Sequence, residues 1–243
     1  MEPLTLIYRD DRIAVFNKPA GLLIHRSYID RSETRFALQL ARDLLGQRVY
    51  PVHRLDKPTS GVLLFALSPE DAAILTASFT AGEVRKRYLA VCRGIAPPDG
   101  VVDYPLLEEQ DRHDPYRREG KEPQAAVTSF RRLATVELPF AVGRYPSSRY
   151  SLLEAEPLTG RRHQIRRHFK HIFHPLVGDV NYGEGRHNRF FREQLDCPRL
   201  LLHAAELTLP HPADGQPVCF TAPLDSTFSG LIDSLGWSDA ISL

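Results

Sequence analysis

The densest run of reactive side chains is HRLDKPTSG at residues 53–61, where Arg54 and Asp56 stand two apart and a Pro-Thr-Ser-Gly turn leads into an apolar stretch from Val62. On an extended segment, residues two apart share one face. An aspartate beside fixed cations suits a nucleophile or a base, since nearby positive charge favours the ionised carboxylate. Asp before Lys-Pro is also ordinary turn chemistry, and these residues alone leave both readings open. A second run, TGRRHQIRRH at 159–168, sets Arg162 and Arg166 one helical turn apart, with Thr159 placed to cap a helix N-terminus. Such a pair grips a carboxylate or phosphate, or simply faces solvent. KRY at 86–88 is too short to carry meaning alone, and Tyr88 by itself reads as a core or edge-strand aromatic. His168, His171 and His174 recur at i, i+3 and i+6, but without an HExxH or a Cys/His finger pattern this spacing assigns no metal.

The elements that must position these groups follow from periodicity. Leu4 to Tyr8 alternates, turns at Arg9-Asp10-Asp11 and resumes at Ile13 to Phe16, which predicts a hairpin. Phe36, Leu40, Ala41, Leu44 and Leu45 keep helical spacing with Gly46 as a stop, predicting a helix over 34–45. Val62 to Leu67 reads as a buried strand, and Ser68-Pro69-Glu70-Asp71 as the capped start of a helix that Gly82 ends. Glu83 to Arg93 alternates as a strand, and further strands are expected near Val127–Val136, Tyr150–Glu156 and Val218–Thr221. In the basic segment Ile165, Phe169, Ile172 and Phe173 form a stripe that would bury one side of a helix and turn its arginines outward. Residues 108–126 and 182–199 fit no clean period and read as long excursions. The sum is one α+β domain over 1–243, with a mixed, largely antiparallel sheet and flanking helices.

Composition narrows the function classes. The chain has 243 residues and a net charge of +1, from 31 Lys plus Arg against 30 Asp plus Glu, so any attraction for a polyanion must be local. It is local in RRHQIRRHFKH (161–171), which has no acid. Cys92, Cys197 and Cys219 are odd in number and far apart, which suggests neither a disulfide framework nor a thiolate zinc site and fits the cytoplasm. No signal-like leader and no apolar run of spanning length occurs, so no membrane association is expected. Without coiled-coil heptads, a monomer is the default.

Taken in order, NKPAGLLIHRS (17–27), HRLDKPTSG (53–61), KRY (86–88), TGRRHQIRRH (159–168), HPLVGD (174–179) and LLLHA (200–204) resemble the RluA family of pseudouridine synthases. The resemblance narrows through HRSYIDR (25–31), GRYPSSRYSLLEAEP (143–157) and DSTFSGLIDSLGW (225–237) to the branch acting on uridine 65 of tRNA. It implies the pseudouridine synthase fold with a central RNA-binding cleft, tRNA as partner and no cofactor. Asp56 would be the essential aspartate that attacks the nucleoside while uracil is detached, rotated and rejoined through C5. Tyr88 would stack on the flipped uracil and remove the C5 proton. Arg166 would pair with Asp56, Ile165 would line the pocket, and Arg54 would fill the gap left by the flipped base. Arg162 and His53 complete the expected substrate-binding set. An N-terminal S4-type domain is not expected, so RNA contacts are assigned to 161–171 and to Arg112, Arg117, Arg118 and Lys121. Alternatives are a ribosomal-RNA synthase of the same family and a non-catalytic RNA-binding module. A glycosidic hydrolase usually needs two carboxylates, and neither principal motif holds a second acid.

Overall fold

The computed structural model describes residues 2–25, 34–108 and 122–241. In chain order the elements are β1 (Thr5–Arg9), β2 (Ile13–Lys18), α1 (Ala37–Leu45), β3 (Tyr50–Pro51), β4 (Ser60–Ala66), α2 (Pro69–Ala81), β5 (Arg85–Arg93), β6 (Asp99–Asp103), β7 (Val127–Leu138), β8 (Ser148–Pro157), α3 (Gln164–His171), α4 (Gly185–Gln194), β9 (Leu202–Pro210), β10 (Pro217–Thr221) and α5 (Ser226–Ser234). They form a mixed, mostly antiparallel sheet ordered β1-β2-β4-β9-β5-β8-β7-β6, with β3 on β4 and β10 on β9. The α+β expectation holds. Among the described strands, the parallel pairing is a short one, Ser60 to His203 and Gly61 to Ala204.

The hairpin, α1, β4, α2, β5, β7, β8 and β10 form for the expected local reasons, whereas β6 and β9 are additions to the expected set. Ser68 Oγ accepts the Asp71 N–H at 3.0 Å and Pro69 opens α2, while Gly46 and Gly82 close α1 and α2 in the left-handed conformation. Alternate residues of the sheet feed opposite faces. Phe16, Leu63 and Phe65 pack with Ala41 and Leu45 of α1, and Ala90, Leu153 and Leu202 pack with Ile165 and Phe169 of α3. On the other face Leu64 and Leu207 meet Leu75 of α2, and Val91 and Leu152 meet Phe191 of α4 and Phe228 of α5. The α1 and α3 clusters adjoin at Tyr88, which packs against both.

Several expectations need correction. Residues 182–199 are no open excursion but contain α4, whose mixed sequence buries only His187, Phe190 and Phe191. Helix α3 begins at Gln164, so Arg162 precedes it, and Thr159 does not cap it. The Thr159 hydroxyl instead donates to Gln164 Oε1 at 2.7 Å and accepts the Val127 N–H at 3.0 Å, tying β7 to the approach of α3. Nor do all the α3 arginines face outward, since Arg166 is 3% exposed. It turns inward because two carboxylates wait there.

Candidate active site

Strand β4 and the loop before it place Asp56. The Thr59 N–H bonds to Asp56 O at 3.0 Å, closing a turn that delivers the chain into β4. Gly61 sits at φ +112°, where a Cβ would lie 2.1 Å from Ala204 O, so the last residue of HRLDKPTSG must be glycine for β4 to reach β9. His53 Nε2 accepts the Leu64 N–H at 2.9 Å just beyond where β3 leaves β4, and its ring stacks on Phe79. Burial, then the charge of Lys86, hold the His53 pKa down to about 4, so the neutral acceptor form persists. Lys18 closes the loop from the other side. Its Nζ donates to Pro19 O, Leu22 O and Lys57 O at 2.9, 2.8 and 3.2 Å. Burial and Arg199 push the Lys18 pKa down to about 7, with Asp56 opposing. Three carbonyl acceptors nonetheless require all three N–H bonds of the ammonium, so the geometry favours the charged form.

Arg166 reaches Asp56 from α3. Its Nη1 donates to Asp56 Oδ2 at 3.1 Å, while Nε and Nη2 donate to Asp179 Oδ2 and Oδ1 at 2.7 and 2.9 Å. Asp179 also accepts the N–H groups of Asn181 and Tyr182. These bonds and the Arg166 charge outweigh burial and hold the Asp179 carboxyl below its ordinary range. The same carboxylates raise the Arg166 pKa above its ordinary value despite burial. Gly178, at φ +78°, lets this loop pass Arg199 O, which a Cβ would approach to 1.9 Å.

His163 and Tyr182 complete the surround. His163 occupies the left-handed region at φ +55°, its Nε2 lies 3.8 Å from Asp56 Oδ2, and its Nδ1 is 2.8 Å from the Tyr182 hydroxyl. The Tyr182 ring covers the Arg166 guanidinium at 5.1 Å. Gln164 braces the approach, accepting the Arg161 N–H and donating to Val127 O. Lys86 Nζ donates to Thr159 O at 3.2 Å, joining β5 to the same segment.

Of these groups, Asp56, His53, Lys86, His163, Gln164 and Arg166 line a cleft of about 740 Å3, while Asp179, Tyr182 and Lys18 stand behind its wall. Asp56, Tyr88, Arg166, Arg54, Ile165, Arg162 and His53 all lie on it, so residues separated by more than a hundred positions converge. Arg54 is exposed on the cleft wall. Burial, then the charge of Asp56, raises the pKa of the Tyr88 phenol well above its ordinary value and keeps it protonated at physiological pH. The cleft falls within the size range of small-ligand sites, with a carboxylate, a phenol and the apolar Ile165 among its lining groups.

Sequence reading missed Asp179, His163, Tyr182, Lys86 and Lys18 as site residues. Asp179 ends HPLVGD, and an acid directly after a glycine is the signal the sequence offers. The expected histidine spacing resolves into separate duties. His168 bonds Thr128 and Tyr104 O, His171 stacks on Tyr104, and His174 bonds Arg93 O. Arg112, Arg117, Arg118 and Lys121 lie outside the described residues, as does most of HRSYIDR.

Residues 12–171 match the RNA pseudouridylate synthase family model. The chain is 48% identical to tRNA pseudouridine synthase C of Vibrio cholerae serotype O1, over 98% of each chain. It is 49% identical to tRNA pseudouridine synthase C of Salmonella typhi, over 96% of this chain and 90% of that one. Among solved structures it is similar to human RNA pseudouridylate synthase domain containing 4, with a TM-score of 0.71 and 26% identity over 96% of this chain and 93% of that one. Human RNA pseudouridylate synthase domain containing 1 gives 0.69 and 27% over 95% and 90%.

Proposed function

The chain belongs to the RNA pseudouridylate synthase family, and we propose that it isomerises a uridine of tRNA, at position 65, in the cytoplasm. The observation that carries this reading is the Asp56 carboxylate in the cleft, held at 3.1 Å by a buried arginine that the fold anchors elsewhere. The isomerisation breaks the N1–C1′ bond, forms a C5–C1′ bond and removes a proton from C5 while N1 regains one. Atoms and electrons balance without an oxidant, reductant or nucleotide. The near full-length likeness to tRNA pseudouridine synthase C from two bacteria supports tRNA as the substrate.

Within this reading Asp56 attacks the nucleoside, and Arg166 orients the carboxylate in the cleft. Ile165 and Tyr88 form the walls against uracil. Tyr88, on the cleft wall, is the group that removes the C5 proton, and N1 regains one. Arg54 fills the stack vacated by the flipped base, and Arg162 meets a flanking phosphate. His53 shapes the cleft wall through its ring, since its Nε2 is taken by Leu64. One continuous sheet supports a single catalytic domain.

The test is incubation of the purified protein with unmodified tRNA and ribosomal-RNA transcripts, with new pseudouridines mapped by carbodiimide-stop primer extension. The expected result is a stop at uridine 65 of tRNA. A stop only in ribosomal RNA would overturn the substrate, and RNA binding without any stop would make the chain a non-catalytic RNA-binding module.

A further inference from the structure

The end of α3 carries a side chain that neither the cleft nor the core uses. Phe173 is 88% exposed, and its backbone sits in the left-handed region at φ +65°. It closes the helix, its N–H donating to Lys170 O at 3.1 Å while the His174 N–H donates to Phe169 O at 2.8 Å. Glycine commonly fills that position, because a Cβ there crowds the neighbouring carbonyl. Here an aromatic ring is held in water on a strained residue. Local stability and hydrophobic burial both argue against that choice, and among the described residues the ring is left open to solvent, available to an external contact.

The surroundings indicate what that something is. No acid occurs from Thr159 to Gly178, a span holding Arg161, Arg162, Arg166, Arg167 and Lys170. Lys170 is exposed with its Nζ 5.8 Å from the Tyr182 ring centre, and Tyr182 in turn covers Arg166. Exposed His171 stacks on Tyr104 with ring centres 3.7 Å apart. Asp179 is paired with Arg166 and Glu184 with Arg93, while Asp103 stands exposed beside Tyr104. Phe173 lies seven residues beyond Arg166, roughly 10 Å along the helix axis. Exposed Lys170 and His171 thus stand three and two residues before the exposed ring of Phe173, at the same end of α3.

We propose that Phe173 is a stacking platform for an unstacked base of the RNA substrate, beyond the one seated at Asp56, with Lys170 and His171 toward the neighbouring phosphates. Every base offers a π-face to an aromatic ring, and adjacent cations meet the backbone, which is how single-stranded segments are commonly held. The proposal rests on the RNA reading above.

Phe173→Gly removes the ring and relaxes the backbone at once. The expected result is a melting temperature no lower than wild type, with about tenfold weaker binding of an unmodified tRNA transcript by filter assay. Phe173→Trp should restore the affinity. Unchanged binding by Phe173→Gly would overturn the platform, and so would a melting temperature several degrees lower, since the ring would then be packing for the fold. Pseudouridine formation by wild type on the same transcript is scored separately. Its absence would sink the functional reading, whereas its presence with unaltered Phe173→Gly binding would sink the platform alone.

Discussion

Two carboxylates share one guanidinium, and their environments differ. Asp179 is 0% exposed, takes two bonds from Arg166 and two more from backbone N–H groups. Asp56 is 18% exposed and takes one bond from the same arginine. The first carboxylate has its acceptor sites filled by the fold, whereas the second has sites directed at the cleft. Identical side chains thus serve opposite ends. Saturation makes Asp179 an anchor, and incomplete satisfaction leaves Asp56 with acceptor sites open toward the cleft, as the proposed attack requires. Arg166 joins them, fixed by one so that it can position the other.

Removing the shared arginine is the harshest challenge to this contrast. Arg166→Ala strands a buried Asp179, and the expected loss is about 3–5 kcal/mol of stability by urea denaturation, together with turnover. A stability change below about 1 kcal/mol would show that Asp179 is not held as a buried charge.

Asp179→Asn is milder, because the amide keeps the shape and one acceptor oxygen. It should cost about 1.5–3 kcal/mol at pH 7, the range for hydrogen bonds to charged groups. The dependence on pH identifies the charge. The folded pKa of Asp179 lies below its ordinary value, so its contribution is full above that value and is lost as pH falls through the folded pKa. The stability gap between wild type and Asp179→Asn should therefore narrow below about pH 4. A constant gap from pH 7 to 3 would assign the loss to packing.

Stability should also fall, independently of either aspartate, as pH drops from about 6.5 toward 4. His53 and His203 both have folded pKa values pushed down to about 4, so unfolding takes up protons across that window. Urea midpoints at pH 7, 6 and 5 that do not change would refute the buried neutral form of both.

The smallest effect belongs to exposed Arg54. Arg54→Ala should slow reaction on a folded stem-loop by roughly tenfold, and by less on an RNA whose target uridine is already unstacked. Equal losses on the two substrates would remove its role in flipping.

Local chemistry was legible where a single segment carried it. HRLDKPTSG announced a turn leading into β4, though not that the strand needs Gly61, and Ser68-Pro69 announced α2 together with its cap. What stayed hidden depended on distant partners. β9 is buried on both faces over Leu202–Ala205, so no alternation marked it as the sheet's middle. α4 escaped because Phe190 and Phe191 bury a narrow strip of an otherwise charged helix. The inward turn of Arg166 was invisible because helical spacing makes it one more arginine of a basic face. Only the fold brings Asp179 beneath it, and with Asp179 comes the reason that one acid is saturated while the other keeps a side toward the cleft.

The most direct test sets Asp56→Asn beside Asp179→Asn in single-turnover pseudouridine formation on unmodified tRNA, with binding of the same RNA measured for each. The account predicts no detectable product from Asp56→Asn, at wild-type stability within about 1 kcal/mol and with binding within a few-fold. Asp179→Asn should be less stable but retain measurable turnover. Product formation by Asp56→Asn at the wild-type rate would contradict the account at its centre.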